Sequence, residues 1–410
     1  MTRTPRILIV VENLPAQRDA RVRRECQALT AAGYLVSVIS PKGVAGQEVP
    51  ELAGVTLYQY PPPPDRQGVL GFAFEFLYSF VATAFLMVKA LLREGFDVFQ
   101  ACNPPETYFL LAVPLKALGK PFVFDHHDLS PEHYAVQFGR RDLLYRLLLR
   151  LERATFRTAD HVISTNEFFR DVALTRGGKR ADDITVVRNG PPLDLVGERL
   201  PQPALRKGKT YLLCWVGVMR GFDDGVDLAL AVVHHLRCLG RDDFHVAFIG
   251  DGENLPRMSA LAAELGVGDH VTFTGWLTFD RAFDYLATAD IALQTNPRNE
   301  RTDVSTAIKT MEYMALGVPV VAFDLRETRA SAGDAAIYAE PNDVVALAGM
   351  VDELLRDPAR RVAMAEHGRR RVQNGLAWDH QKIRYVSVFD RLLGRAGTNA
   401  RRPRRSRPQG

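Results

Sequence analysis

What this chain can fold into is set by a rhythm in its apolar residues. Short runs rich in Val, Ile, Leu and Phe alternate with stretches of helical spacing from the first residues onward. Residues 7–11 (Ile-Leu-Ile-Val-Val) read as a buried strand, and 20–32 carries Val22, Cys26 and Leu29 at helical spacing before Gly33 stops it. Further strands are expected at 35–39, 55–60, 97–101, 122–125, 161–164 and 184–187, with helices at 69–93, 105–118, 140–158 and 166–176. Strand–helix–strand repetition of this kind requires a parallel sheet joined by right-handed crossovers.

The rhythm then breaks and restarts. Pro191, Pro192, Pro201 and Pro203, with Gly208 just beyond, mark the best linker in the chain. After it come strands at 211–216, 245–249, 271–274, 291–294 and 319–323, and helices at 225–239, 254–265, 279–288, 305–316 and 343–356. The 410 residues therefore divide into an N-terminal Rossmann-like domain over 1–190, a linker over 191–209 and a second Rossmann-like domain over 210–376. The fold class is α/β, two Rossmann-like β/α/β domains facing across a cleft. Open sheets bind ligands at the carboxyl ends of their strands, which aims both sites into that cleft.

Composition narrows the function classes. Apolar residues make up 47% and charged residues 24%, which excludes a wholly disordered chain. The net charge of +4 is carried by a tail: residues 395–410 hold six Arg and no acid, leaving the rest slightly acidic. A nucleic-acid-binding body is thereby disfavoured, and the tail is expected to be disordered. Cys26, Cys102, Cys214 and Cys238 stand far apart without CxxC spacing, which fits a reduced, cytoplasmic compartment and gives no zinc ribbon or disulfide framework. The apolar run 7–11 is too short for a signal peptide. No Asp-x-Asp pair occurs, so a carboxylate-held metal–diphosphate site has no support.

Two short matches are discarded. Gly208-Lys-Thr210 ends like a phosphate loop, but Pro203 stands where its first Gly belongs; Gly250-Asp251-Gly252 opens like a dinucleotide fingerprint, but Leu255 replaces the third Gly. The strongest string is Asp303-Val-Ser-Thr-Ala-Ile-Lys309-Thr-Met-Glu312-Tyr-Met-Ala-Leu-Gly317-Val-Pro-Val-Val. Ser305 or Thr306 is expected to cap a helix there, with Lys309 one turn in and Glu312 on the same face. A helix N-terminus with a lysine suits a phosphate, and a carboxylate suits a ribose diol. Taken alone, the string is equally an ordinary capped surface helix with a Lys–Glu pair.

That string resembles the nucleotide-sugar signature of glycosyltransferase family 4, which has the GT-B fold. Other segments resemble the family in the right order: Asp19-Ala-Arg21-Val-Arg-Arg-Glu25, Asp125-His-His-Asp128 with Pro131-Glu132, Arg153 to Asp160 with Ile163-Ser164, Val187-Arg-Asn189-Gly190, Trp215-Val-Gly217 and Phe248-Ile-Gly250-Asp-Gly252. The resemblance spans about residues 6–390 and implies transfer of a sugar from a nucleotide donor, with retention at the anomeric carbon and neither metal nor other cofactor. The leaving diphosphate gains charge in the transition state, which fixed cations and helix-end N–H groups stabilise. On this resemblance Lys309 and Arg220, which follows the first strand of the second domain, are catalytic cations, and His127 matches the family's active-site histidine. Gly217, Gly250, Asp251, Gly252, Ser305, Thr306 and Glu312 are donor-binding; Asn103, Asp128 and Glu132, near the sheet edge that carries His127, are acceptor-side candidates. A metal reading of 125–128 lacks a third ligand nearby. A helix over 377–394 is expected to pack back on the N-terminal domain.

Two positions depart from the family pattern. Asp223 and Asp224 stand where a second base is common, and Val304 where a sugar-contacting Glu is common; both are read as subgroup traits. Two rivals share the fold: a nucleotide-sugar 2-epimerase, for which no proton-transferring carboxylates can be assigned, and a non-catalytic nucleotide-sugar-binding protein.

The acceptor is expected to be a glycan or a polyprenyl- or other lipid-linked molecule, in bacterial polysaccharide or glycolipid assembly. Residues 69–93 carry Phe72, Phe74, Phe76, Tyr78, Phe80 and Phe85, but only 76–88 is free of charge, short of the about twenty residues of a span. A buried or interfacial helix is expected. Arg146, Arg150, Arg153 and Arg157 form a basic stripe on another helix. Together these faces suit an anionic membrane surface, which the tail would also attract, or else a packed core helix beside a solvated charged face. The expected location is cytoplasmic, at the inner face of the plasma membrane.

Overall fold

Strands apolar on both faces belong in parallel sheets, because crossover helices cover both sides. The computed structural model describes residues 3–43, 51–63, 68–197, 199–220 and 223–395; the arginine-rich tail beyond Arg395, Glu198 of the linker and the side chain of Phe72 lie outside the described residues. The strands are β1 (Arg6–Val10), β2 (Leu35–Pro41), β3 (Val55–Tyr60), β4 (Val98–Cys102), β5 (Phe122–His126), β6 (His161–Ser164), β7 (Ile184–Val186), β8 (Tyr211–Val216), β9 (Phe244–Ile249), β10 (Val271–Phe273), β11 (Ile291–Gln294), β12 (Val320–Phe323) and β13 (Ala336–Ala339). They form a seven-stranded sheet in the order β3-β2-β1-β4-β5-β6-β7 and a six-stranded one in the order β10-β9-β8-β11-β12-β13, all neighbours parallel. In each sheet the order reverses beside its first strand, β1 against β4 and β8 against β11, which is where such sheets bind ligands.

The α-helices are α1 (Ala20–Ala31), α2 (Gly68–Arg93), α3 (Phe109–Ala117), α4 (Ser130–Phe138), α5 (Leu143–Thr158), α6 (Glu167–Thr175), α7 (Leu193–Val196), α8 (Val226–Cys238), α9 (Leu255–Glu264), α10 (Phe279–Thr288), α11 (Ile308–Leu316), α12 (Arg326–Ala332), α13 (Val344–Arg356), α14 (Pro358–Arg371) and α15 (Trp378–Leu392). The chain falls into two compact units. One comprises Met1–Pro131, Arg141–Val187 and Lys382–Gly410; the other comprises Glu132–Arg140 and Arg188–Gln381.

In the first unit, α2, α3, α5 and α6 share one core with the sheet: Leu86, Met87, Ala90, Leu111, Ala112, Leu115, Phe156 and Ala173 meet Phe99, Phe122 and Phe124. Burying each large apolar side chain of this kind contributes about 1.5–3 kcal/mol. From Phe74 to Arg93, α2 is long and apolar enough to cross a membrane by length and composition alone, with a mean hydropathy of 1.6. Its inner face is nonetheless part of the sheet's core, while Leu77, Val81, Phe85, Val88 and Leu92 repeat at steps of three and four on the face left exposed. The second unit buries both faces of its sheet: one side gathers Leu213, Trp215, Leu230, Phe248 and Leu347, the other Leu212, Ala247, Phe283, Tyr313 and Val320.

Several boundaries differ from the sequence reading. The helix expected from 105 starts at Phe109, after a loop containing Pro104 and Pro105, which have no N–H to give a helix. The helix expected over 140–158 starts at Leu143, because Asp142 caps it by accepting from the N–H groups of Leu144 and Tyr145. Helices α4, α12 and α14 and strand β13 were not legible. Each lacks a clear apolar period: α12 reads Arg-Glu-Thr-Arg-Ala-Ser-Ala, and β13 reads Ala-Ile-Tyr-Ala.

Candidate active site

Alternation along β5 decides which of two adjacent histidines can do chemistry. Successive side chains point to opposite faces. His126 lies among Phe124, Phe156 and Phe169, with ring centroids 5.4, 5.1 and 4.9 Å away. Burial pushes its pKa down to about 3, so it is a neutral core residue. Asp125 and His127 take the other face. His127 Nε2 is 2.6 Å from Asp125 Oδ2, and the ring keeps an exposed edge. With Asp125 ionised, Nε2–H is the donor, and in the neutral ring Nδ1 is then the acceptor.

Asp125 is fully buried, which by itself would raise its pKa; the Arg21 charge and the bond to His127 instead hold it well below the usual carboxylate range. Arg21 grips it through two nitrogens, at 2.7 and 3.1 Å, and donates to the Val187 carbonyl at 2.9 Å, while its Nε also lies 3.0 Å from Glu25 Oε1. Burial and the neighbouring Asp125 charge push Glu25 far up, so one guanidinium serves one carboxylate. Gln100 Nε2 donates to Glu25 at 2.8 Å and to Asp125 at 3.3 Å, and its carbonyl accepts from Tyr385 of α15 at 2.8 Å. A buried relay thus runs from α15 through Gln100 and Asp125 to His127.

Asn103 is placed differently from its expectation as an acceptor-side residue. Its Oδ1 accepts from the N–H groups of His127 (2.6 Å) and Asp128 (3.2 Å), and its Nδ2 donates to Glu106 (2.9 Å) and to the Asp128 carbonyl (2.6 Å). Every bond it can make is used, and it is 1% exposed. It shapes the loop that presents His127. Asp128 is half-buried at that loop, and Glu132, on α4, falls within the second unit. Cys102, Asp125 and His127 bring three ligand atoms within 4.8 Å. The donor set suits a proton better than a metal: Arg21 occupies both Asp125 oxygens, and burial with the Asp125 and Glu25 charges holds the Cys102 thiol far above its ordinary range.

In the second unit the loops after β8 and β9 are laced together by backbone. Gly217 N–H donates to the Ile249 carbonyl at 3.0 Å, and Met219 N–H to that of Asp251 at 2.9 Å. Gly250 has φ +137°, and a Cβ there would lie 1.9 Å from the Gly217 carbonyl oxygen. Glycine alone lets the two strand ends approach this closely. Trp276, 74% exposed, follows the Gly250–Gly275 bridge.

Lys309 lies over the Trp215 ring, Nζ 4.2 Å from its centroid. Trp215 is held by its Nε1 donating to Thr295 Oγ1 at 3.2 Å, which in turn donates to the Gly225 carbonyl at 2.6 Å. Burial pushes the half-buried Lys309 down to about 7, against the opposing pull of Asp224 and Glu312. Glu312, also half-buried, follows one turn along α11. Arg220 is exposed, and its backbone N–H donates to Asp224 at 2.5 Å. Asp223 accepts from Asn299 at 2.6 Å and from Arg301, tying down the loop that leads to α11. The paired aspartates that replace a base are thus part of the scaffold.

The start of α11 corrects the expectation that Ser305 or Thr306 caps it. The helix begins at Ile308, with extended Ala307 at the cap, whose side chain makes no capping hydrogen bond. Ser305 closes a turn onto the Arg301 carbonyl, and the Thr306 hydroxyl donates to buried Glu327 at 3.0 Å. With an alanine at the cap, the positive end of the helix is suited to an anion. Glu327, which also accepts from Arg188 (2.6 Å) and Ser331 (2.7 Å), went unnoticed because no local pattern marks it.

Residues 19–190 match the family model described as a glycosyl transferase 4-like domain, and residues 210–357 that of glycosyl transferases group 1. The chain is 26% identical to a 2-deoxystreptamine glucosyltransferase of Streptomyces kanamyceticus over 319 residues, 75% of this chain and 81% of that relative. It is 32% identical over 158 residues to a GDP-mannose-dependent alpha-(1-6)-phosphatidylinositol monomannoside mannosyltransferase of Mycolicibacterium smegmatis, 37% of this chain and 40% of that relative. Its fold matches sucrose-phosphate synthase of Thermosynechococcus elongatus with a TM-score of 0.75 at 19% identity, covering 96% of this chain and 100% of that one.

Proposed function

We propose, from the premise that the chain belongs to the group 1 (GT4) family of retaining GT-B-fold glycosyltransferases and moves a sugar from a nucleotide-sugar donor, that it glycosylates a glycan or lipid-linked acceptor presented at an anionic membrane surface, without a metal. The observation that carries the donor half is the N-terminus of α11, capped by an alanine, with Lys309 in its first turn over the Trp215 ring. As the bond from the anomeric carbon to the diphosphate breaks, charge builds on the departing oxygens, and the helix end, Lys309 and Arg220 oppose it. Glu312 accepts from the ribose diol, and the glycines at 217, 250 and 252 with Asp251 let the donor approach the backbone. The acceptor oxygen bonds to the same face of that carbon, and its proton leaves on the diphosphate. In its neutral form His127, its tautomer set by Asp125, accepts from a hydroxyl of the transferred sugar or the acceptor through Nδ1, with Asp128 of the same unit an acceptor-side residue; Glu132, in the second unit, is a separate acceptor-side candidate.

The test is a thermal-shift panel of UDP-, GDP-, dTDP- and ADP-sugars. A ligand that binds only the folded chain raises the midpoint. One nucleotide class is expected to shift it, and Glu312→Ala and Lys309→Ala are each expected to weaken that shift without unfolding the protein. Unchanged donor affinity in both variants would sink the site. Acceptor-dependent release of nucleotide separates transfer from epimerisation and from mere binding.

The membrane reading draws on the first unit's helical layer. Leu77, Val81, Phe85, Val88 and Leu92 of α2 and Leu110 and Val113 of α3 are exposed together with Arg146, Arg150 and Arg157 of α5, which make no ion pair among the described residues. One of the relatives acts on a phosphatidylinositol glycolipid. The chain is expected to sediment with phosphatidylglycerol vesicles but not with neutral phosphatidylcholine ones, and Phe85→Ser with Leu92→Ser to reduce it. Equal behaviour on both lipids would refute a cytoplasmic, membrane-face location for the enzyme.

A further inference from the structure

The chain has three tryptophans, and the fold treats them differently: Trp215 and Trp378 are buried, while Trp276 is 74% exposed. A lone apolar side chain on a surface is ordinary. This one is held out on a pinned backbone. Thr274 N–H donates to the Phe248 carbonyl at 3.0 Å, and the Gly275 carbonyl accepts from Gly250 N–H at 3.2 Å and from the Thr274 hydroxyl at 2.8 Å. On the other side Leu277 packs against the core of the second unit, and Thr278 caps α10 by accepting from Arg281 N–H. The segment is tied down before and after the indole, yet the chain leaves unmade the favourable burial that so large a ring offers.

Trp276 follows the carboxyl end of β10, the side on which open α/β sheets take ligands. From there close contacts lead to Lys309 through glycine. Gly275 is bridged to Gly250, Gly250 lies against Gly217, and Gly217 backs onto the Trp215 ring that carries Lys309. A Cβ on Gly250 would stand 1.9 Å from the Gly217 carbonyl oxygen, and one on Gly217 would stand 2.7 Å from the Trp215 ring. The lane is bare backbone, against which a ligand can lie closely. β10 and β8 are two strands apart, about 10 Å. A nucleoside diphosphate has the matching layout, with its anion at one end, a flat base at the other and a ribose between.

We propose that Trp276 stacks on the base of the nucleotide donor and so sets how its diphosphate meets Lys309. This rests on the reading of the second unit as a nucleotide-sugar site. Stacking asks only for a π-face, which every base has, so Trp276 strengthens and orients binding without choosing the base.

The test uses the full chain with UDP, GDP, dTDP and ADP, and with inorganic pyrophosphate as a probe that has no base. Trp276 is the tryptophan that acrylamide can reach and quench; the nucleotide that binds is expected to shield it, and pyrophosphate is not. Trp276→Ala is expected to keep the unfolding midpoint, to weaken that nucleotide about fivefold to hundredfold, and to leave pyrophosphate affinity unchanged. Trp276→Phe keeps a ring and is expected to retain most of the affinity. Lys309→Ala is expected to weaken both probes. Unchanged nucleotide affinity in Trp276→Ala would overturn the stacking role. So would an equal loss of pyrophosphate binding, which would make Trp276 a loop-shaping residue. A loss confined to the sugar-linked nucleotides would also overturn it, by placing the transferred sugar on the ring instead. Failure of all four nucleotides to bind the natural chain would overturn the donor reading on which the proposal rests.

Discussion

Donor binding should draw a proton from solution, and Lys309 sets how much. In the free protein burial holds this lysine at about 7, against an ordinary value of 10.5. Depression means the folded chain gives up its proton before the unfolded chain does, so this residue makes stability rise with pH between those two values. At pH 8 the free ammonium is about one-tenth formed. Two phosphate charges beside Nζ oppose the desolvation and return it toward its ordinary range, so binding at pH 8 should take up about 0.9 proton, and at pH 6 about 0.1. The donor's own phosphates do not titrate in this interval. Calorimetry in buffers of different ionisation enthalpy reads the uptake directly. Lys309→Arg keeps a charge at every pH, and its binding should show no uptake from this site. Absence of uptake at pH 8 in the natural chain, or the same uptake in Lys309→Arg, would refute the assignment of Lys309 to the diphosphate.

Three further outcomes follow from the geometry. Asp125→Asn removes the charge facing Arg21 and replaces one of the two acceptor oxygens that Arg21 and His127 share with a donor; it should abolish most turnover and cost toward the low end of about 3–5 kcal/mol in urea unfolding, since Glu25 can ionise in its place. A loss below about 1 kcal/mol would mean the buried pair is not formed. Gly250→Ala forces a Cβ against the Gly217 carbonyl at a backbone angle that favours glycine, which should cost about 2–5 kcal/mol and lose donor binding, checked by unfolding midpoint and thermal shift. Tyr385→Phe leaves the Gln100 carbonyl unpaired; it should cost about 1–3 kcal/mol with donor affinity intact, and a weakened donor shift would contradict the relay.

Much of the fold was legible in local pattern. Strands such as Ile7 to Val10 announce burial on both faces, and the return of that pattern after the proline-rich linker announces a second sheet. Lys309 and Glu312 were visible because they lie three residues apart on one helix, where spacing alone sets their relation. Side-chain alternation likewise separates His126 from His127 without any tertiary information.

What local pattern could not settle depends on partners far away along the chain. Arg21 and Asp125 are 104 positions apart, and Tyr385 is 285 from Gln100; their meeting follows from strand order and from the return of α15 to the first unit. Asn103 looks like a free amide in sequence and is saturated only once β4 and β5 lie side by side. Thr306 looks like a cap, but Glu327 offers a buried acceptor that outcompetes the helix end. Backbone period is a local property and is written in the sequence. Which hydrogen bond a polar side chain makes is a competition among all acceptors within reach, and only the tertiary structure decides who those are.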